Sequence, residues 1–139
     1  MFNPLNKADE HHFKSLRIPL TNNQKEFDEQ VGSLVKIIID SLNEKEIEKG
    51  VEITKAGLKG IDKLEAFLIK HNMDFTQVSG FLRDLQDLRS SGTAHLKGEK
   101  YKKIAKKFLI GEKSFQDIFD DILIQSIHIL DILEIHFLK

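Results

Sequence analysis

Apolar residues recur at three- and four-residue steps along most of this chain, and no other feature of the sequence constrains its fold as strongly. An α-helix completes a turn every 3.6 residues, so this spacing collects apolar side chains on one helical face. The clean period outweighs the β-branched residues of the first stripe, which alone would suit a strand. That stripe, which predicts a helix over residues 23–42, consists of Phe27, Val31, Leu34, Ile38 and Leu42.

Four more helices are predicted from later stripes and from short polar residues that can cap helix starts. The segment from Glu44 to Lys55 is interpreted as a polar, weakly helical connector. The Thr21-Asn22-Asn23 cluster can cap the first helix, and Ser114 can cap the last. The later helices are predicted over residues 60–71, from Asp74 or Thr76 to Arg89 or Ser90, over residues 94–109 ahead of Gly111, and from Ser114 to about residue 137.

These elements predict an all-α fold, a helical bundle of four to five helices with a long C-terminal helix. The length of 139 residues fits one domain, which we expect over residues 22–139. Residues 1–21 lack the helical stripe and are interpreted as a loose N-terminal arm or linker. Because this arm resembles a linker more than a natural start, the domain is also interpretable as the C-terminal part of a larger protein.

The composition excludes several classes of site. The chain has no cysteine, which excludes disulfide scaffolds, thiolate zinc sites and cysteine nucleophiles and fits a reducing compartment. Residues 1–20 contain no apolar run of signal-peptide length, and charged residues interrupt the densest apolar stretch, so we expect a cytoplasmic protein without a membrane span. The adjacent residues His11 and His12 are a poor metal site, and we expect no metal and no cofactor.

Positive charge is concentrated in one short stretch, although the formal net charge is only −1. Residues 97–107 carry six lysines against the single Glu99. A dense cluster of lysines is suited to phosphate groups, so Lys97, Lys100 and Lys103 are candidate RNA contacts. Tyr101 lies among them and is a candidate platform for stacking a base.

Arg89 and His95 are the pair of residues in this sequence best suited to catalysis. On an unbroken helix a six-residue offset leaves two side chains about 120° apart and roughly 9 Å apart along the axis. They would not converge. The intervening residues Ser90 to Thr93 have modest or poor helix propensity, which predicts a break at this point. Such a break would let both side chains face one pocket.

Acid–base chemistry on RNA is the reaction that this pair could support. If Ser91 or Thr93 caps the next helix, His95 lies in its first turn, where positive potential favours the neutral imidazole of a general base. Arg89 stays charged and presents planar donors to phosphate oxygens. Together they could deprotonate a ribose 2′-hydroxyl and stabilise the resulting phosphorane without a metal ion. DNA lacks that hydroxyl.

The segment Phe81 to Lys107, FLRDLQDLRSSGTAHLKGEKYKKIAKK, resembles the HEPN family of small helical bundles, which carry an Arg followed after four to six residues by His. The residue after the arginine is often Asn, Asp or His in that family, and here it is Ser90. The resemblance implies that Arg89 and His95 are the catalytic pair of a metal-independent endoribonuclease, with Ser90, Ser91 and Thr93 in support.

The same resemblance implies partners. HEPN proteins typically act as dimers whose two motifs form one composite site, so a homodimer acting on RNA is expected. Other members bind RNA or a partner toxin without cutting. The resemblance therefore also allows a protein partner, such as an antitoxin or a larger assembly, and a role in defence or toxin–antitoxin systems.

Each candidate also has a purely structural interpretation. Arg89 could pair with an aspartate one turn back or cap carbonyls at the end of its own helix, His95 could be a surface histidine, and the lysines could form a solvated face. Tyr101 could simply pack. In the last helix the spacing places Ile124 and Ile135 in the polar arc and Ile127 at its margin. These isoleucines are either scattered surface residues or a second buried face, and the latter favours a non-catalytic helical interaction or dimerisation domain.

Overall fold

The computed structural model describes residue 2 and residues 16–49, 60–71, 76–92 and 99–137, with side chains for all of these except residues 91, 92 and 135–137. These ranges contain helices and no strand, which confirms the prediction of an all-α bundle with a long C-terminal helix. The helices are α1 (Gln24–Ile38), α2 (Glu44–Lys49), α3 (Gly60–Lys70), α4 (Thr76–Gly92), α5 (Glu99–Lys107) and α6 (Phe115–Phe137).

The predicted caps at the starts of the first and last helices are present. The Asn23 side chain accepts a hydrogen bond from the Lys25 N–H at 2.8 Å, and Ser114 Oγ accepts one from the Asp117 N–H at 3.1 Å. Asn22 Oδ1 also accepts from the Phe115 N–H at 2.6 Å. Side-chain oxygens of residues 22 and 23 therefore satisfy free backbone donors of both α1 and α6 and hold the two helix starts together.

The structure contains a short helix within the segment that the sequence analysis interpreted as a connector. Residues 44–49, interpreted as part of a weakly helical connector, form α2. Asn43 Oδ1 accepts a hydrogen bond from the Glu46 N–H at 3.2 Å, and the Ile47 side chain is buried. One cap and one buried side chain are enough for a helix this short because its neighbour supplies the packing. Helix α1 correspondingly ends at Ile38 rather than at residue 42.

Helix α4 lies at the centre of the bundle. It packs against α1, α3 and α5, while α6 packs on α1 and α2 packs on α3. Arg83 of α4 also forms ion pairs with Asp62 and Glu65 of α3, which hold the pKa of the Glu65 carboxyl below its ordinary value and raise that of the guanidinium. The apolar stripe of α4 is buried throughout; its members are Val78, Phe81, Leu82, Leu85 and Leu88.

Three phenylalanines join α1 to α6. The Phe27 ring lies 4.9 Å from the Phe115 ring and 6.3 Å from the Phe119 ring, centroid to centroid, and the second contact is edge to face. Phe27 and Phe119 are both fully buried. Aromatic side chains bury more apolar surface than most other residues, so this cluster is a major part of the core.

The predicted break between Ser90 and Thr93 does not begin at Ser90. Helix α4 continues through Ser90 and Ser91 to Gly92. Ser90 Oγ donates a hydrogen bond to the carbonyl oxygen of Gln86 at 2.8 Å, so its hydroxyl is satisfied within the helix. Burial of Leu88 in the same turn also favours the helix over the weak propensity of the serines.

A left-handed residue ends α5. The Ile110 N–H donates to the Ala105 carbonyl at 3.0 Å and the Leu109 N–H to the Lys106 carbonyl at 3.2 Å, the hydrogen bonds of a Schellman motif. Leu109 occupies the left-handed position with φ of 60°, where glycine is usual, and Gly111 follows with φ of 94°. Glycine was predicted to end this helix at residue 111, but the reversal begins two residues earlier.

Described residues of the predicted arm contact the bundle. Phe2 forms an isolated antiparallel bridge with Leu42 and packs against the core, as does Leu16. The Arg17 N–H donates to Gln30 Oε1 at 2.8 Å. At these positions the arm therefore packs against the helices, whereas a loose arm was predicted. None of the helices described here combines the length and the apolar character needed to cross a bilayer.

Candidate nucleic-acid interface

Helix α5 presents its lysines on the side away from the core. Ile104 is buried, and Tyr101 and Phe108, one turn to either side, pack against the core from partly buried positions. These residues are three and four positions apart, so they form a narrow apolar stripe that fixes the orientation of the helix. All five lysines of α5 are exposed; they are Lys100, Lys102, Lys103, Lys106 and Lys107.

Two of these lysines form ion pairs with acids of α4. Lys100 Nζ lies 3.5 Å from a carboxylate oxygen of Asp87, and Lys107 Nζ lies 3.0 Å from one of Asp84. The two pairs run in opposite chain order along the two helices, which indicates an antiparallel arrangement. Lys100 was predicted to contact RNA, but it faces α4 and its charge is already partly balanced.

The other three lysines rim an open groove of about 530 Å³. We call this surface the lysine groove; it is lined by Glu99, Tyr101, Lys102, Lys103, Ala105, Lys106 and Ile110. Lys102 Nζ lies 3.3 Å from Glu99, whereas Lys103 and Lys106 form no ion pair with any described residue. Two cations without a local counter-charge beside an apolar floor can bind an anion without first breaking an ion pair.

Tyr101 has a packing role in this surface. Its hydroxyl accepts a hydrogen bond from Gln24 Nε2 of α1 at 2.6 Å, and its side chain is half-buried. Burial raises the pKa of the hydroxyl, and the charge of Asp28 adds to the effect. The predicted base-stacking residue therefore anchors α5 to α1, and only part of it remains open to the groove.

Arg89 lies on α4 and is engaged by an acid of another element. Its Nη1 donates to Asp40 Oδ2 at 2.9 Å, and Lys36 Nζ lies 3.3 Å from the same oxygen. Asp40 follows the C-terminus of α1, which brings the two helices together at this point. The structural interpretation placed the aspartate one turn back on the same helix, whereas the partner that the structure gives Arg89 is Asp40, in the turn after α1.

The remaining residues of the predicted catalytic motif are only partly described. Ser90 is exposed and donates to the backbone of its own helix, and Ser91 lies in the last turn of α4. Thr93, His95 and Lys97 lie outside the described residues. The convergence of Arg89 and His95 on one pocket therefore stays a prediction.

Lys106 and Lys102 are groove residues that the sequence-based selection of RNA contacts missed. The signal was present in the helical spacing, because residues 102, 103 and 106 fall within about 100° of one another on a helical wheel. Residues 100 and 107 fall toward α4 instead. Which lysines would be neutralised could not be read from the sequence, since Asp84 and Asp87 were identified as partners only by the packing of α5 on α4.

Within the described ranges, no three His, Cys, Asp or Glu side chains are placed to hold a metal ion together. No family model matches the chain, and no curated protein or solved structure matches it either.

Proposed function

We propose that this chain is an RNA-binding helical domain and that its RNA surface is the lysine groove on α5. The observation that carries the proposal is the pair Lys103 and Lys106, exposed beside an open groove and without a described acidic partner. Binding to a polyanion releases condensed counterions, and lysines already paired with protein carboxylates contribute less to it. RNA is chosen over DNA because of the resemblance of residues 81–107 to HEPN proteins.

The test is fluorescence anisotropy with a labelled single-stranded RNA over a range of KCl concentrations. Each phosphate contact on single-stranded nucleic acid contributes about 0.7 to the slope of log affinity against log salt. The variant K103A/K106A should therefore bind more weakly, with a slope smaller by about 1.4.

The control is K45A/K49A, which removes the same formal charge from exposed lysines of α2, one of which, Lys49, pairs with Glu46 at 3.0 Å. Helix α2 packs on α3. The control should bind RNA nearly as wild type does. Equal losses in the two variants would show a general charge effect, and wild-type binding by K103A/K106A would remove the lysine groove as the RNA surface.

Metal-independent cleavage of the bound RNA is the second function that we propose. It is favoured by Arg89, whose guanidinium is 25% exposed within the segment that resembles HEPN proteins and is held in place by Asp40. In this mechanism His95 removes the 2′-hydroxyl proton, the 2′-oxygen attacks the adjacent phosphorus, and Arg89 stabilises the pentacoordinate phosphate. The P–O5′ bond then breaks, which leaves the cyclic phosphate, and the 5′-oxygen departs as a hydroxyl with the proton that His95 took up.

Cleavage is tested by incubating the protein with mixed RNA in EDTA and analysing the product ends. Wild type should give cyclic phosphate ends, whereas H95A and R89A should give none while still binding RNA in the anisotropy assay. Binding by all three proteins without any cleavage would leave an RNA-binding domain and exclude the nuclease. Cleavage retained in H95A would assign the activity to another residue or a contaminant.

A further inference from the structure

The outer face of α6 is acidic and carries no compensating cation on its own helix. The 23 residues of α6 include no lysine or arginine. Its acidic side chains are all exposed, and only Asp121 has a described partner, Lys113 at 3.2 Å. The acidic residues are Asp117, Asp120, Asp121, Asp131 and Glu134.

Two isoleucines are exposed within this acidic face. Ile124, which the spacing places in the polar arc, and Ile127, which it places at the margin, are each 58% exposed. They lie nearly one turn apart, and Asp120 and Asp131 fall within about 40° of Ile124 on the helical wheel. We call Ile124 and Ile127 the isoleucine ridge; its flanks carry carboxylates that are unpaired among the described residues.

The charge of this face argues against its pairing with the same face of a second copy. A twofold contact centred on the isoleucine ridge would bring the Asp120 and Asp131 carboxylates of the two copies close to one another. Like charges across an interface are unfavourable. The complementary surface must instead offer cations around an apolar centre.

The chain itself contains such a surface. The lysine groove has Tyr101, Ala105 and Ile110 in its lining, and Lys102, Lys103 and Lys106 on its rim. Its apolar residues match the isoleucine ridge, and its lysines match the carboxylates beside the ridge. We propose that the isoleucine ridge of one copy docks into the lysine groove of a second copy, α6 against α5.

This contact is heterotypic, since different helices of the two copies meet. If both copies use both surfaces reciprocally, the assembly closes as a twofold dimer; otherwise the contact propagates from copy to copy. The association itself does not depend on RNA. Where the proposed RNA-binding function also holds, RNA and the second copy compete for Lys103 and Lys106.

The experiment measures mass by light scattering and sedimentation at micromolar concentrations, in low and high salt and without RNA. Wild type should exceed the mass of one protomer at low salt and approach it at high salt. The charge-reversal variants K103E/K106E and D120K/D131K should each remain at the protomer mass. A chain carrying all four substitutions restores opposite charges and should associate again.

Circular dichroism confirms that each variant is folded, and K45E/K49E is the matched control for charge reversal. A wild-type protomer mass at low salt throughout the concentration range would overturn the proposal. So would association that I124D abolishes but K103E/K106E leaves intact, because the ridge would then bind something other than the lysine groove. Failure of the four-substitution chain to associate while folded would also overturn it.

Discussion

The ion pair between Arg89 and Asp40 gives a direct measure of whether Arg89 is a structural residue. Arg89 Nη1 lies 2.9 Å from Asp40 Oδ2, and the two side chains are 25% and 31% exposed. Exposed ion pairs are worth about 0.2–1 kcal/mol, and a charge-assisted hydrogen bond of short length belongs near the upper end. Partial exposure lets water screen the pair, so we expect a coupling free energy of about 0.5–1 kcal/mol.

The coupling is measured by a double-mutant cycle of R89A, D40A and the double variant, unfolded with urea and followed by far-UV circular dichroism. R89A leaves Asp40 paired with Lys36 at 3.3 Å, so no unpaired buried carboxylate distorts the cycle. The control cycle combines D40A with K106A, which do not interact and should be additive within about 0.3–0.5 kcal/mol.

A coupling free energy indistinguishable from that of the control would refute this reasoning and show that Arg89 is not held by Asp40 in solution. A measurable coupling has a consequence for RNA. Because Asp40 competes with phosphate for the guanidinium, D40A should then bind RNA more tightly than wild type. An unchanged affinity would show that Arg89 does not contact RNA.

Two further predictions concern the bundle itself. F119A removes a fully buried ring that contacts Phe27, so the free energy of unfolding should fall by about 3–5 kcal/mol in urea titrations, and a loss below about 1 kcal/mol would contradict the described core. Hydrogen bonding to Arg83 lowers the pKa of Glu65 below its ordinary 4.5. The ionised Glu65 carboxylate therefore stabilises the folded state above pH 4.5, and this stabilisation is lost as the pH falls below that value. E65Q should therefore lose stability near neutral pH and show a smaller decline than wild type on acidification; parallel curves of stability against pH would exclude Glu65 as a source of acid sensitivity.

The helices were predictable because their apolar spacing and their caps are local. Phe27, Val31 and Leu34 identify α1 by periodicity alone, and all three are buried. Asn23 and Ser114 cap helices as their types predict. The exposure of Ile124 and Ile127 agrees with their positions on a helical wheel of α6, in the polar arc and at its margin. Each of these inferences needs only the geometry of a single helix.

Features that depend on contacts between helices were not predictable in the same way. Ser90 has weak helix propensity, yet α4 continues past it because Leu88 packs in the core and the hydroxyl finds a carbonyl within the helix. The partner of Arg89 lies 49 positions away in the sequence. Tertiary packing decides both. The left-handed conformation of Leu109, which its residue type disfavours, instead accompanies the local backbone hydrogen bonds that end α5.

The separation of basic α5 from acidic α6 makes the formal net charge of −1 a poor guide to how the protein behaves in solution. A chain with an isoelectric point near 6.6 would ordinarily pass through a cation-exchange resin at neutral pH. Here Lys103 and Lys106 point outward from one helix and Asp120 and Asp131 from another, so either type of resin can capture the molecule by the helix of opposite sign. We therefore expect the wild-type protein to be retained on both a cation-exchange and an anion-exchange resin. The variant K103A/K106A should elute earlier than wild type from the cation-exchange resin and unchanged from the anion-exchange resin.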